Sequence, residues 1–414
     1  MINPDFAIGP SEADAQTATD AYPAVTPRQL CPQNAVTFCP SEATKHRPRP
    51  AVSTSKNENF CATTSTAPHP DVLGAQCAAK TRGLPDASFW IASGRHLSTA
   101  LAAAITAGVL GCQRPAPRPV PTMGWVDPAE FDGQSCYAEA ASFVSLGPRI
   151  AGSTGAETAA CYLASRLRSV AGTNGFVEVV EFVDATPQGD KTFRNVLLTV
   201  PGRRDRLIIV ASHYDTAIQG GPEFIGANDS GSSTAVLLAL AALLPSAPQP
   251  PDSLMLAFLD GEECLQQYGP NDGLHGSRRL VRDLQQKHPR ANLRAFILLD
   301  MVGDRDLTIT IPRNSTPHLV ALALNAAHEE GARLHFSLSK FSITDDHVPF
   351  LEAGIPALDL IDFEYGSTPG QNDYWHTPED TLNKLSPKSL EIVGRVLIRM
   401  LNALFAETAT APVR

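Results

Sequence analysis

Two adjacent glutamates follow an apolar run near the middle of the chain. Residues 253 to 259 read as a strand buried on both faces of a sheet, and Asp260-Gly261-Glu262-Glu263 comes directly after it. Ligands bind at the carboxyl ends of strands in open α/β sheets. Adjacent side chains leave a strand end in different directions, so one glutamate can hold a metal ion while its neighbour moves a proton. A solvated acidic turn is the simpler alternative.

Four other segments bring imidazole or carboxylate groups to the ends of predicted strands or into the loops that follow them. These are His213 and Asp215 after strand 207–212, Asp229 in the glycine-rich loop 226–231, Asp300 after strand 294–299, and His376 in the loop 373–377. Zinc accepts mixed imidazole and carboxylate ligands in catalytic sites. Each residue also has a structural explanation, such as a helix cap at Asp229. Their recurrence at strand ends favours one shared site.

Alternating strands and helices must position these groups. Apolar spacing predicts helices at 131–146, 156–167, 232–244, 274–287, 317–331, 346–353 and 387–404, and strands at 176–182, 195–200, 207–212, 253–259, 294–299, 335–338 and 357–361. This order predicts an α/β fold, a three-layer sandwich with a mostly parallel mixed central sheet and helices on both faces.

The motifs HYD, NDSG, DGEE, LLDMVG, DDHVPF and WHT occur in that order between residues 131 and 404. In this order they resemble the zinc exopeptidase superfamily. The chain is more similar to its zinc-dependent glutaminyl-peptide cyclotransferases than to its aminopeptidases, because of the DGEE strand end, the doubled acid Asp345-Asp346 and the tryptophan before His376. The resemblance implies a peptide or protein N-terminus as substrate, with N-terminal glutamine cyclised to pyroglutamate and ammonia released.

Carried over residue by residue, the resemblance implies that Asp229, Glu263 and His376 hold one zinc ion. It gives Glu262 the role of general acid and base. Asp300 would share or orient the travelling proton.

The resemblance also assigns the substrate pocket. Trp375 would form a wall that raises the pKa of Glu262, and Asp346 would lie nearby. Tyr268 stands where the animal enzymes have a second pocket tryptophan. Asp359 and Ser212 replace a histidine and a cysteine of those enzymes, departures that bear on substrate affinity more than on the chemistry.

A zinc aminopeptidase is the rival interpretation. His213 and Asp215 match positions that aminopeptidases use around a second metal, whereas the cyclotransferases keep the histidine without binding zinc to it. An aminopeptidase of this kind would hold two zinc ions, and its Glu262 would activate water. A binding domain on the same fold is disfavoured because none of the motif residues is missing.

The segment before the catalytic domain (125–407) divides into three parts. Residues 1–92 lack any sustained period and are expected to be disordered. Residues 93–112 resemble a bacterial lipoprotein signal ending at Cys112, and 113–124 form a proline-rich linker. Either translation starts downstream of Met1, or 93–112 is an ordinary alanine-rich helix. The first alternative predicts export, as a periplasmic or outer-membrane lipoprotein or a secreted protein.

Composition excludes two classes of partner. The net charge of −10 gives no support to nucleic-acid binding. No apolar run reaches the length of a membrane span.

Cys136 and Cys161, on consecutive predicted helices, could pair in an oxidising compartment or remain buried thiols.

Overall fold

The computed structural model describes residues 124–172, 175–287 and 293–407. Its strands are β1 (Phe176–Thr186), β2 (Gly189–Val200), β3 (Arg204–His213), β4 (Asp252–Leu259), β5 (Leu293–Asp300), β6 (Ile309–Ile311), β7 (Phe336–Leu338) and β8 (Ala357–Ile361). Its helices are α1 (Gly133–Val144), α2 (Thr154–Val170), α3 (Ser233–Leu243), α4 (His275–Lys287), α5 (Pro317–Glu329), α6 (Val348–Glu352) and α7 (Pro387–Ala406).

Six strands form one mixed sheet in the order β1-β2-β4-β3-β5-β8. Strands β4, β3, β5 and β8 run parallel, while β2 lies antiparallel to both β1 and β4. The four parallel strands therefore bring their carboxyl ends to one edge of the sheet, which we call the carboxyl edge. His213, Leu259, Asp300 and Ile361 end these strands.

Both faces of the sheet are covered, because successive residues of each central strand point to opposite sides. On one face, residues such as Val210, Leu256 and Ile297 pack in a core shared with α1, α2, α3, α5 and α7. On the other face, Ile209 and Phe296 pack against α4 and α6. The predicted three-layer sandwich is confirmed.

Two features differ from the prediction. β1 and β2 continue as a hairpin out to Thr186 and Gly189, beyond the apolar residues that marked them. The short strand β6 was not predicted, and it pairs in parallel with β7 in a separate two-stranded sheet. The hairpin extension is held by backbone pairing, which an apolar pattern does not reveal, and β6 has only three residues, too few for an apolar period to stand out.

Both ends of the described domain lie at the opposite edge of the sheet, the amino edge. The Trp125 indole donates to the Pro248 carbonyl (2.7 Å), a few residues before β4. At the other end, Arg204 of β3 and Arg294 of β5 donate to carbonyls of Phe405 and Leu404. The fully buried carboxylate of Asp252 accepts from both arginines.

Several predictions fall on residues that the structure does not describe. Segments 1–92, 93–112 and 113–123 lie outside it, and Cys112 with them. Among the described residues, no helix is long and apolar enough to cross a membrane. Cys136 carries a free, buried thiol, so the disulfide with Cys161 is not formed.

Candidate active site

A cavity of about 140 Å³ opens at the carboxyl edge of the sheet. It is lined by Asp229, Glu262, Glu263, Tyr268, Asp300, Ile343, Thr344, Asp345, Ile361, Phe363, Trp375 and His376. Seven of these residues were predicted as site residues. A larger cavity of about 320 Å³ lies elsewhere, between α4 and the β1–β2 end of the sheet, and its walls are mainly apolar. We therefore identify the site by the ionisable residues that line the smaller cavity, and not by cavity volume.

The turn after β4 aims the two glutamates. Gly261 has φ +73°, and a Cβ there would lie 2.5 Å from the Phe193 ring, so only glycine fits this turn. The two carboxylate oxygens of Asp215 accept the backbone N–H groups of Glu262 (3.2 Å) and Glu263 (3.1 Å). Asp215 therefore fixes the turn and does not line the cavity.

Asp229, Glu263 and His376 converge on one point. The His376 Nε2 atom lies 3.0 Å from Glu263 Oε1 and 3.2 Å from Asp229 Oδ2. Glu263 Oε2 and Asp229 Oδ2 are buried and form no hydrogen bond in the described part of the chain. One imidazole nitrogen cannot satisfy both carboxylates, so the three groups fit a shared cation. Two oxygens and one nitrogen match a catalytic zinc site, whose fourth position stays open.

Burial and mutual charge set the protonation of this trio. Burial and the Asp229 charge raise the pKa of Glu263 to about 7. Burial opposes the charged form of His376, but the adjacent carboxylates of Asp229 and Glu263 outweigh it and raise its pKa to about 10. Burial likewise opposes ionisation of Asp229, yet the adjacent imidazoles of His213 and His376 hold its pKa below the usual range. Without metal the trio thus retains protons that a cation would displace.

A second buried carboxylate, Asp380, fixes the loop that carries Asp229. It accepts the backbone N–H of Asn228 (2.7 Å), that of Asp229 (3.1 Å) and the Tyr365 hydroxyl (2.7 Å). Asp380 lies four residues after His376. Its hydrogen bonds therefore connect the segment that carries His376 to the loop that carries Asp229. Its role was not predicted.

We expect Asp380→Asn to weaken zinc affinity by about 10- to 100-fold, because the new amide would turn an N–H toward a backbone N–H donor. Competition with a chromophoric chelator measures this. Glu379→Gln is the matched control, since the exposed Glu379 carboxylate bonds only Lys384 among the described residues. Equal affinities of the two variants would contradict the role.

The buried guanidinium of Arg149 orders the neighbouring loops. It donates to the carbonyls of Tyr214 (2.7 Å), Ile225 (2.6 Å) and Gly226 (3.1 Å), and it lies over the Phe143 ring. Burial lowers its pKa to about 10, so it stays charged at neutral pH. These bonds join the segment after β3 to the glycine-rich loop before Asp229.

Glu262 faces the cavity beside the trio. The Tyr268 hydroxyl donates to its Oε1 (2.9 Å) and lies 3.1 Å from its Oε2. Burial raises the pKa of Glu262 well above its usual value, and the charges of Asp345 and Glu263 add to this. Trp375 lines the same cavity and stacks on the His376 ring at 3.9 Å between centroids. A carboxyl group with a raised pKa suits proton transfer near neutral pH.

We expect Tyr268→Phe to move the acidic limb of the pH profile of kcat/KM upward by about one pH unit. The hydroxyl donates to the ionised carboxylate and so favours it, which means that its loss raises the pKa of Glu262. A base with a higher pKa becomes protonated, and inactive, at a higher pH. An unmoved or lowered limb would show that the bond does not tune Glu262.

His213 and Asp300 form a second group around Asp229. The His213 Nε2 atom lies 3.1 Å from Asp300 Oδ1 and 3.2 Å from Asp229 Oδ1, and Nδ1 lies 3.5 Å from Asp215 Oδ1. Burial opposes charge on His213, but Asp300 and its other carboxylate neighbours raise its pKa well above the usual value. Without metal, the carboxylates around His213 thus favour its protonated form. The same atoms also satisfy the geometry of a second metal group.

Asp345, rather than Asp346, lines the cavity. Asp346 is fully buried and is not part of the cavity wall, but its charge helps to raise the pKa of Glu262, so it lies near the pocket. The two neighbours leave their turn in different directions. Burial, with the charges of Asp359 and Asp300, raises the pKa of Asp345 well above its usual value.

Asp345, His347 and Asp359 also lie close enough to hold a cation, but the tautomer of His347 argues against one. Asn314 accepts the Ile343 N–H and donates to the Ile343 carbonyl, which fixes its amide. The same NH₂ group lies 2.8 Å from His347 Nε2, so that nitrogen accepts. The ring proton is then on Nδ1, 3.7 Å from Asp359 Oδ2, and no lone pair remains there for a metal.

The fold and the site define a metal-dependent α/β enzyme of the exopeptidase type. The model of Peptidase family M28 matches residues 195–401, half of the 414-residue chain. The chain belongs to this family.

Three relatives are similar to the chain over its catalytic domain. The glutaminyl-peptide cyclotransferase of Drosophila melanogaster is 31% identical over 56% of this chain and 70% of its own. The glutaminyl-peptide cyclotransferase-like protein of Mus musculus is 33% identical over 59% and 69%. The crystal structure of an Acidobacteriales bacterium glutaminyl cyclase is 34% identical, covers 70% of this chain and 99% of that one, and has a TM-score of 0.62. The resemblance drawn from the motifs is confirmed.

Proposed function

We propose that this chain is a zinc-dependent glutaminyl-peptide cyclotransferase, which converts the N-terminal glutamine of a peptide or protein to pyroglutamate and releases ammonia. One observation carries the proposal: Glu262, with its raised pKa, faces a small cavity beside the trio Asp229, Glu263 and His376. The names and coverage of the relatives support it.

The size of the cavity suits a single terminal residue. Its volume of about 140 Å³ is below the roughly 300 to 1,000 Å³ of pockets that enclose drug-sized ligands, so it suits a small group. Trp375 and Phe363, in edge-to-face contact at 5.3 Å, wall one side. Confinement of glutamine in this space holds its α-amine near its own γ-carbonyl, and such orientation lowers the barrier of an intramolecular reaction.

Glu262 carries the proton in this proposal. Ionised Glu262 takes a proton from the α-amine as the nitrogen attacks the γ-carbonyl carbon, and the protonated carboxyl then gives it to the departing amide nitrogen. The new C–N bond closes the ring, and the broken one releases ammonia. Asp229, Glu263 and His376 would hold the zinc ion, which would supply Lewis-acid polarisation of the γ-carbonyl. Asp300, bonded to His213, orients the transferred proton.

Product analysis of a matched pair of peptides tests the proposal. The zinc-loaded protein is incubated with Gln-Ala-Ala and with Leu-Ala-Ala, and ammonia, free amino acids and product masses are followed. We expect ammonia and a ring-closed product from the first peptide and no reaction of the second. Free leucine from the second peptide would overturn the proposal.

A zinc aminopeptidase is the second candidate, favoured by the group His213, Asp229 and Asp300. We propose one zinc per chain instead, since His213 Nε2 already contacts Asp300 and Asp229 directly, at 3.1 and 3.2 Å. Two tightly bound zinc ions, together with release of unblocked residues, would favour the aminopeptidase.

We also propose that the protein is exported and lipidated at Cys112. The support is the lipoprotein-like pattern of residues 93–112 alone. Labelling with a radioactive fatty acid in a bacterial host, lost in Cys112→Ala, tests it; unlabelled parent protein would contradict it.

A further inference from the structure

An exposed apolar stretch borders the mouth of the catalytic cavity. We call residues 338 to 344, Leu338-Ser339-Lys340-Phe341-Ser342-Ile343-Thr344, the rim loop. Its last two residues line the cavity. Two positions earlier, the Phe341 side chain is 76% exposed, and Leu338 is 60% exposed. Large apolar groups left in solvent beside a binding site mark contact surfaces for ligands.

The backbone of the rim loop is fixed, so the exposure of Phe341 is built into the fold. Ser339 N–H donates to the Ile311 carbonyl (2.8 Å), and the Phe341 carbonyl accepts from Arg313 N–H (2.9 Å). Ile343 exchanges two hydrogen bonds with the Asn314 amide. The loop is therefore tied along its length to the segment that follows β6, while the phenyl ring points away from the core.

We propose that Phe341 and Leu338 bind the part of the substrate peptide downstream of its N-terminal glutamine, with preference for an apolar third residue. The proposal rests on the function proposed above. The proposed reaction places only the N-terminal glutamine in the cavity, so the rest of the peptide must leave across its rim. Two residues of extended chain span about 7 Å, and the two steps along the backbone from Ile343 to Phe341 cover at most the same distance. The third residue of the substrate is thus the one that meets Phe341.

The size of the effect follows from an aromatic contact. Aromatic pairs add about 0.5 to 1.5 kcal/mol. We therefore expect kcat/KM for Gln-Ala-Phe-Ala to exceed that for Gln-Ala-Ser-Ala by about three- to tenfold. Because the contact does not involve the reacting atoms, the gain should appear in KM rather than in kcat.

The test compares these two tetrapeptides on three proteins by ammonia release. In Phe341→Ser the preference should fall toward one. Leu334→Ser is the matched control, since Leu334 is 98% exposed but lies beyond the other end of β7 from the rim loop. It should keep the parental preference.

Each possible outcome of this comparison supports or overturns one of the two proposals. Equal kcat/KM values for the two peptides on the parent protein, with ammonia released, would overturn the rim-loop proposal alone. A preference that survives in Phe341→Ser would also overturn it, by assigning the preference to another surface. No ammonia from either peptide would instead overturn the proposed function.

Discussion

Replacing Glu262 with glutamine is expected to lower kcat for ring closure by about 10²- to 10⁴-fold. The amide keeps the size of the side chain but cannot take the proton of the α-amine. Zinc content should stay at the parental level, because Glu262 is not part of the trio around His376. Stopped assays of ammonia with parallel metal analysis measure both quantities.

Glu263→Gln is the matched control for that variant. It makes the same change one residue further along the same turn, and its expected defect is loss of zinc, since Glu263 belongs to the trio. The two variants should thus lose activity for different reasons. Glu262→Gln loses the proton carrier, and Glu263→Gln loses the zinc ion. If Glu262→Gln kept more than about a tenth of the parental kcat, the assignment of the proton carrier would be wrong.

Removal of zinc is expected to abolish activity, and readdition of about one equivalent should restore it. His376→Ala should bind zinc too weakly to survive dialysis, because only two carboxylates of the trio remain. Plasma emission spectrometry of the dialysed proteins gives the metal content. Full activity after exhaustive chelation would contradict a metal-dependent reaction.

Zinc uptake also has a proton signature. In the metal-free trio the pKa of His376 is raised to about 10 and that of Glu263 to about 7. At neutral pH His376 is therefore protonated, and a ligand imidazole must be neutral, so binding should release about one proton or more. Calorimetry in two buffers of different ionisation enthalpy detects this. For the same reason affinity should fall as the pH is lowered.

The glutamate pair could be predicted from sequence because its signals are local. An apolar run long enough for a buried strand ends directly in Gly261-Glu262-Glu263, and strand ends meet ligands in sheets of this kind. Asp300 follows the same rule. Asp229 and His376 lie in loops, and it was the resemblance of the NDSG and WHT motifs to the zinc exopeptidase superfamily that placed them with Glu263.

Residues that act through the backbone of distant segments could not be predicted. Asp380 bonds backbone groups 151 and 152 positions away, and Arg149 reaches carbonyls 65 to 77 positions away. In sequence each is one polar residue in a loop. The spacing of Asp380 four residues after His376 was the available signal, but spacing does not say which backbone a carboxylate meets.

The choice between Asp345 and Asp346 shows a second limit. Adjacent residues in a turn diverge by angles that depend on local φ and ψ, and the sequence does not fix them. Either residue could have faced the cavity. The structure places Asp345 in the cavity wall and buries Asp346 away from it.

Both ends of the described domain lie at the amino edge, as Trp125 and the carbonyls of Leu404 and Phe405 show. This placement determines how the enzyme can be attached to a surface. A tag or a tether joined to either side of the described domain leaves from the edge opposite the cavity. Protein immobilised on a bead or sensor chip through such a tether should present its catalytic mouth to the solution, open to whole proteins as well as to short peptides.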